Sequence, residues 1–587
     1  MTMLKERTAR HLENCAGAFI LLLTALMPLK YGTISCMPEA GSFYPDRAVD
    51  YLYISWPSST FGIFSGAALL LALICCRRSF RKSAATLSAA LFAIAIPCAA
   101  LWGKLRCTAV FYGEAEFIHF AGIGAYLGAV YVLISCSEVW KNRVIYAFGI
   151  GTLLLTFTAV HQYFYGFKEM QEFAKMQESQ GIILSDAMRL KLIDGRVYGA
   201  MSSANLLAGF MLCAAPVLVG LAIKASRKFE PQKQSLILFT AVSVILGGGT
   251  LLMTKTRGAF LALGAAAVLW VFSTGKIKKV YKYAALAAIL FVLVAGACYI
   301  KFYGRGFGSM QERVSYLKTC TVMFREKPFS GHGWGEFFYD HMRLKETSSN
   351  ESAHDPHNIV ASFAVHCGVF AGIAVLAAFL FPLWNWWKRR DDLDVTASLA
   401  LWGCVAAFFH ALQDINHQSP AVITALMLIL MLNMENRQDA PLLKLPIRYA
   451  IAVFLLMLGI VSVSGNWKYT RADAALSYLE ECCRPSVKEK FYLSTAHNVE
   501  TALNDVKALR PQHPFAFNLA GAFYFARGNY DKAEKYYLQA HSLDARRPGV
   551  LRKLADLSDM RGDSVQAVKL RKRARELFPS NPEYREQ

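Results

Sequence analysis

The sequence predicts an all-α protein, a polytopic transmembrane helix bundle followed by a soluble helical domain. Four observations lead there. Apolar residues make up 55% of the 587 residues and charged ones only 18%, with a mean hydropathy of +0.31. The apolar residues come in long uncharged blocks, each near the roughly 20 residues that a helix needs to cross about 30 Å of hydrocarbon. Basic residues gather at alternate block ends, as the positive-inside rule requires, so the formal charge of +21 calls for no nucleic-acid partner. After Gly465 the composition turns to that of a soluble helical domain with an internal period.

In chain order the blocks predict spans at Cys15–Tyr31, Thr60–Cys76, Ala84–Trp102, Phe117–Cys136, Val144–Gln162, Gly199–Ile223, Ser235–Met253 and Gly258–Phe272. Further spans are expected at Tyr281–Ile300, Asn358–Leu383, Val395–Leu412, Pro420–Leu432 and Tyr449–Gly465. That makes about thirteen. One set of ends carries Lys5, Arg7 and Arg10, then Arg77, Arg78, Arg81 and Lys82, then Lys141 and Arg143, and later Lys388, Arg389 and Arg390. The opposite loops hold few cations: Arg47, Lys104, Arg106, Lys255 and Arg257. The N-terminus is therefore expected in the cytoplasm and, with an odd number of spans, the C-terminal domain outside. The first block has no small-residue cleavage site at Leu26-Met-Pro-Leu-Lys30 and is read as a transmembrane helix rather than a signal peptide.

Fourteen cysteines, mostly inside spans and without a C-x-x-C pair, support no metal or redox framework. Cys36, Cys107, Cys320, Cys482 and Cys483 fall on the expected outer side, where disulfides are permitted.

The domain from residue 467 onward repeats itself at 34 residues: Pro514 with Pro548, Gly528 with Gly562, Ala533 with Ala567 and Ala540 with Ala574. That is the tetratricopeptide period. The clearest units are 514–547 and 548–581, with a less regular pair of helices before them at about Arg471–Glu481 and Ser494–Arg510. Such stacks bury a continuous core when about three units adjoin, and they present a concave surface suited to a protein partner.

The chemistry is sought in a polar stretch set between spans, Phe302 to Ala371, because charge and imidazole persist at a membrane edge where water or a polar substrate meets them. It holds Arg305, an amphipathic segment over Gln311–Phe324 with Arg313 in its first turn, the glycine-rich Ser330-Gly-His-Gly-Trp-Gly-Glu-Phe337, and His354-Asp-Pro-His-Asn358. Asp355 reads as a helix N-cap and Pro356 as the first helical residue, which would put His357 in the first turn of the next span. Free amides at that helix end favour an anion, and a neutral imidazole there can take a proton from an attacking hydroxyl. The plainer readings are a capping or interfacial histidine, and a zinc site with His332, His341 and His354, which lacks the expected ligand spacing. Arg257, at the outer start of a span, either anchors its helix at the interface or holds a phosphate as a guanidinium fork. Asn205, near the top of a Gly/Ala-rich span, either bonds a neighbouring helix or contacts substrate.

The order of these pieces resembles the O-antigen ligase and polymerase-like membrane glycosyltransferases. The resemblance runs through the Arg196–Gly209 stretch, the Thr256-Arg-Gly-Ala-Phe-Leu261 turn, the Arg313 helix leading through Pro328 to Gly331-His-Gly-Trp-Gly335, and His357-Asn358 followed by Gly368. It implies a GT-C-like bundle in the bacterial inner membrane, its core over 199–432 and its large periplasmic loop over 301–357. It further implies that Arg257, four residues before Leu261, and Arg313 bind the pyrophosphate of a lipid donor, and that His357 is the catalytic base. Arg305, His354 and Asn205 are further candidates for substrate contact. The implied reaction is an inverting transfer of a preassembled glycan from undecaprenyl diphosphate to lipid A–core or protein at the periplasmic face. It needs no metal or other cofactor.

Ligases of this kind usually have about twelve spans and no repeat domain. A protein O-oligosaccharyltransferase or a glycan polymerase shares the chemistry. Polymerases often pair an outer-loop Arg with a Gly sixteen residues on, and no such pair starts at Arg189, Arg196, Arg305, Arg313, Arg325 or Arg343. A transporter would place its polar groups at the midplane rather than the outer edge. A non-enzymatic scaffold recruiting partners through the repeats would tolerate loss of His357.

Overall fold

The computed structural model describes residues 2–35, 47–52, 54–76, 80–108, 110–179, 186–229, 233–273, 308–346, 352–390, 393–435, 439–483 and 495–581, with a few isolated positions between them. Every regular element among them is helical. Helices α1 (Thr2–Lys30), α2 (Ser58–Cys75), α3 (Ala84–Arg106), α4 (Val110–Ile134) and α5 (Glu138–Ser179) are followed by a short α6 (Asp186–Asp194). Then come α7 (Ala204–Phe229), α8 (Lys233–Met253) and α9 (Arg257–Ser273). Nine helices among the described residues are long and apolar enough to cross a membrane, and three shorter apolar ones accompany them, α9 among these. The span expected at Tyr281–Ile300 lies almost wholly outside the described residues, as does Arg305.

The bundle is built around α4, whose apolar window is almost entirely buried. Small residues allow this. A Cβ on Gly122 of α4 would stand 2.8 Å from the Gly62 Cα of α2, so the two backbones touch where any other residue would part them. Toward the periphery α8 buries only 11% of its apolar window, as expected of a helix whose neighbour is lipid. Helix α5 is continuous over 42 residues, about 63 Å at 1.5 Å per residue, so its last turns stand clear of a bilayer about 30 Å thick. It carries a single π turn at Gln162–Gly166.

The polar segment after α9 forms α10 (Gly308–Glu326) and α11 (Glu336–Leu344), joined by the glycine-rich turn. The expected span Asn358–Leu383 is not one helix. It breaks into α12 (Ile359–Cys367) and α13 (Val369–Lys388) at Gly368, whose φ is +91°. The turn wedges into that break: His332 N–H donates to Val365 O at 2.9 Å and Gly333 N–H to His366 O at 2.9 Å. Gly331 has φ +68°, and a Cβ there would lie 2.4 Å from His366 O. Helices α14 (Val395–Ala411) and α15 (Pro420–Leu432) follow, the latter buried at every residue.

Helix α16 (Leu445–Cys482) is the last apolar one and runs 38 residues without interruption. Its far end, Leu476, Leu479 and Cys482, belongs to a second core with Val499, Phe517 and Tyr524. That core is completed by α17 (Ala496–Leu509), α18 (Pro514–Ala526), α19 (Tyr530–Leu543), α20 (Pro548–Met560) and α21 (Ser564–Leu577). Helices α18 and α20 are both 13 residues long and α19 and α21 both 14, each pair offset by the period seen in the sequence. No disulfide forms among the described cysteines, and Cys36 lies outside them.

Gly331→Ala meets both a left-handed backbone and a carbonyl that cannot withdraw without opening the α12–α13 break. It should cost roughly 1–3 kcal/mol, read as a lower Tm of the detergent-solubilised protein. An unchanged Tm would mean that the turn is not clamped by the break.

Candidate active site

The site is assembled by a turn that the sequence reading passed over, residues 412–418 between α14 and α15. Its backbone and side chains receive four elements at once. Asn358 Nδ2 donates to Leu412 O at 2.8 Å. Arg313 Nε of α10 donates to Gln413 O at 2.6 Å, and its Nη2 reaches Asp414 Oδ2 at 3.1 Å. Gln413 Nε2 donates to Gly258 O at the start of α9 at 2.9 Å. Asn205 Nδ2 of α7 donates to Asp414 Oδ2 at 2.8 Å.

Asp414 is 2% exposed, and a buried carboxylate persists only where donors satisfy it. The network continues outward. Asn205 Oδ1 accepts from Arg196 Nη2 at 2.6 Å, and the same nitrogen donates to Thr256 Oγ1 at 3.0 Å. Arg196 Nε donates to Thr254 O at 3.0 Å. Burial and the neighbouring Arg257 charge lower the pKa of Arg196, against the pull of Asp194 and Asp414. Arg257 itself is exposed at the first position of α9. Arg196, Arg257 and Arg313 thus collect around the start of α9, and Asn205 serves as the bridge between Arg196 and Asp414.

The Arg196 loop is fixed from behind by the π turn of α5. Gln162 Oε1 accepts from Tyr198 N–H at 2.9 Å and from Gly199 N–H at 2.8 Å, with Gly199 at φ +56°. An inserted residue turns this side chain toward the loop, a use of π bulges common at functional positions.

His357 stands differently from the expectation. The N-cap of α12 is Asn358, whose Oδ1 accepts from Val360 N–H and Ala361 N–H at 3.0 Å each. Asp355 is not the cap, Pro356 does not open the helix, and His357 precedes it with φ +57°. Asn caps at least as well as Asp, and taking the nearer one leaves Asp355 for another task. Its Oδ1 accepts His357 N–H at 2.8 Å, and its Oδ2 accepts from Ser362 Oγ at 2.7 Å and from His417 Nε2 at 3.0 Å. This cage holds His357 in its left-handed backbone. A non-glycine residue there is uncommon and marks a place worth examining for function.

The ring lies on Tyr316 with centroids 5.0 Å apart and planes at 28°. Its Nδ1 is 2.9 Å from Asp355 O. A carbonyl can only accept, so Nδ1 carries the hydrogen and Nε2 of the neutral ring is the basic nitrogen.

His357 borders a cavity of about 290 Å³ whose lining includes Tyr112, Glu116, Tyr316, His354 and Gln418, and no Lys or Arg among the described residues. Gln418 Nε2 donates to Glu116 Oε1 at 2.9 Å. His354 stacks on Phe338 at 4.3 Å with planes at 6°. Two of the histidines weighed as zinc ligands are bonded elsewhere: His332 Nε2 to Met323 O at 2.7 Å, and His341 Nδ1 to Thr319 Oγ1 at 3.2 Å. No group of three or more His, Cys, Asp or Glu among the described residues could hold a metal ion.

Residues 242–376 match the O-antigen ligase family model. No curated protein matches the chain. The matched stretch takes in Arg257, Arg313 and His357, while Arg196, Asn205, Asp414 and His417 lie outside it. The chain is therefore a multi-pass membrane protein with a segment similar to the O-antigen ligase family, and the fold brings residues from beyond that segment into its polar site. Asp414 and His417, which sequence reasoning missed, had a signal. Gln413-Asp-Ile-Asn-His-Gln-Ser419 is a polar run between two apolar segments, the same criterion that drew attention to 302–371.

The Asp355–His417 pair makes stability depend on pH. Burial opposes ionisation of Asp355, but the His417 charge and hydrogen bond, with the Ser362 hydroxyl, hold its pKa well below the carboxylate range. Burial also penalises charged His417, yet Asp355 raises its pKa above the ordinary imidazole value. The carboxylate contributes fully above its unfolded pKa of about 3.9 and the imidazolium fully below its unfolded pKa of about 6.5. The Tm advantage of wild type over His417→Gln should therefore be greatest between those values. It should shrink as pH rises through the folded pKa of His417 and as pH falls toward that of Asp355. A constant difference from about pH 5 to 9 would show that the pair is not charged.

Proposed function

We propose that this protein transfers a preassembled glycan from an undecaprenyl diphosphate donor to an acceptor hydroxyl. The observation that carries this reading is the orientation of His357, whose Nδ1–H is engaged by Asp355 O so that Nε2 is left as base at the edge of a cavity. In the step proposed, the acceptor oxygen attacks the anomeric carbon and its proton passes to His357 Nε2. The bond from that carbon to the diphosphate oxygen breaks on the opposite face, with inversion. Charge growing on the leaving diphosphate is stabilised by Arg257 and Arg313, a task that preorganised guanidinium groups perform without a metal.

Lipid A–core is the first acceptor to try. A protein or a growing glycan is the second reading, favoured by the C-terminal helix pairs, whose equal lengths and constant offset support tetratricopeptide repeats able to hold a protein partner. In this reading the chain crosses the bacterial inner membrane about thirteen times. Its N-terminus is cytoplasmic, and the α10–α11 loop and the C-terminal helices are periplasmic. Contact between that loop and those helices supports their sharing one side.

The test is transfer by purified protein from an undecaprenyl diphosphate-linked glycan to lipid A–core in a chelating buffer. His357→Ala should lower transfer at least about 100-fold with membrane insertion and Tm unchanged. Retained activity would remove His357 as base. Arg257→Lys keeps the charge but loses the planar fork, and transfer should fall about tenfold. A fully active Lys variant would assign Arg257 to anchoring.

A further inference from the structure

Helix α11 has two faces with separate partners. The inner face carries Phe337 and His341, neither of them exposed. Both pack on Tyr316, at 6.2 and 5.0 Å between ring centroids, and Tyr316 is the ring on which His357 lies. The outer face carries Glu336 and Tyr339, and what holds them comes from the C-terminal domain. The turn between α19 and α20 presents Asp544, Arg546 and Arg547. Arg546 grips the Glu336 carboxylate with two nitrogens, Nη1 on Oε2 and Nη2 on Oε1, the latter at 3.2 Å. Its Nη2 also donates to Thr108 Oγ1 at 3.0 Å, and Thr108 in turn donates to Glu336. The guanidinium lies 3.9 Å above the Tyr339 ring, and the Tyr339 hydroxyl donates to Asp544. Arg547 Nε, 2.9 Å from Asp544 Oδ2, braces that carboxylate. Side-chain exposure is 30% for Arg546 and 10% for Glu336, so the pair is largely shielded from solvent.

A domain attached only to recruit an acceptor would have no reason to bind α11 this way. We infer that Arg546 is a positioning residue for His357: through Glu336 it fixes α11, which fixes Tyr316, which sets the imidazole. The C-terminal domain is on this account part of the outer wall of the site, beyond whatever partner its repeats bind. The inference rests on the transferase reading for its kinetic consequence and on geometry alone for its structural one. A bidentate guanidinium–carboxylate pair confers orientation as well as attraction, and loss of orientation at a catalytic group falls on turnover.

The experiment uses the full chain and compares wild type, Arg546→Ala, Arg546→Lys and Tyr339→Phe. Steady-state transfer kinetics give kcat and the acceptor KM, and hydrogen–deuterium exchange is followed over residues 313–320 and 336–344. Arg546→Ala should lower kcat at least about tenfold, leave the acceptor KM within about twofold, and speed exchange in both segments. Arg546→Lys should recover part of kcat because it keeps the charge but not the fork. Tyr339→Phe, which removes one hydroxyl and no charge, should show a smaller change of the same kind. A rise in acceptor KM alone would overturn the inference in favour of recruitment, and wild-type exchange with wild-type kcat in Arg546→Ala would overturn it outright. If wild type makes no product with lipid A–core, a protein or a growing glycan, the transferase reading fails, and exchange in 313–320 and 336–344 still decides whether Arg546 holds α11.

Discussion

The burial of one carboxylate, Asp414, governs how the polar site is built. At 2% exposure it cannot be left alone, and besides the Ile415 N–H it takes two side-chain donors, Arg313 of α10 and Asn205 of α7, from chain segments more than a hundred residues apart. Asn205 then hands the constraint on to Arg196, and Arg196 to the Thr254–Thr256 turn from which α9 starts. A membrane bundle has little hydrophobic drive to choose among helix registers. A shared buried anion selects one register, because sliding any of these helices by a turn strands either the carboxylate or a guanidinium.

Asp355 and Asp414 divide the work of holding charge. Asp414 takes the Arg313 guanidinium, the Asn205 amide and the Ile415 N–H, whereas Asp355 uses its acceptor sites on one backbone amide, one hydroxyl and one imidazole, all serving to place His357. The arrangement keeps His357 beside a carboxylate without bonding its ring to that carboxylate; the ring nitrogen meets the backbone carbonyl of the same residue instead. Contact with a neutral carbonyl fixes the tautomer, with the hydrogen on Nδ1 and the lone pair on Nε2.

Much of this was legible from sequence where the signal is local. Apolar blocks of membrane length pointed to the helices, the amphipathic pattern after Gly308 to α10, and a constant period to the C-terminal helix pairs. His357, Arg257 and Arg313 were singled out by residue type and by resemblance. What escaped depends on tertiary geometry. The run from Ile359 to Leu383 has no polar interruption strong enough to announce a break, since Ser362 and His366 are its main polar residues. Gly368 breaks it only because the 331–333 turn docks there. Asp355 and Asn358 are both good caps, and only packing decides between them. Gln162 sits in an ordinary apolar helix with no mark of the π turn that aims it at Gly199. Arg546 and Glu336 are 210 residues apart, beyond any local pattern.

The separation of charge around His357 gives the proposed reaction a direction. The three arginines stand around the 412–414 turn and the start of α9, while the cavity beside the imidazole is lined by aromatic rings, a glutamate and an amide among others, without a Lys or Arg among the described residues. A diphosphate gains from the first environment and loses in the second, where Glu116 and Asp355 would repel it. A neutral hydroxylated acceptor faces no such penalty, and amide and carboxylate acceptors and donors suit its hydroxyls. His357 belongs to both regions: its ring edges the cavity, and its neighbour Asn358 is bonded to the turn that holds Arg313. On the transferase reading, donor and acceptor are therefore sorted by charge before they meet, and His357, the proposed base, lies where the two environments join.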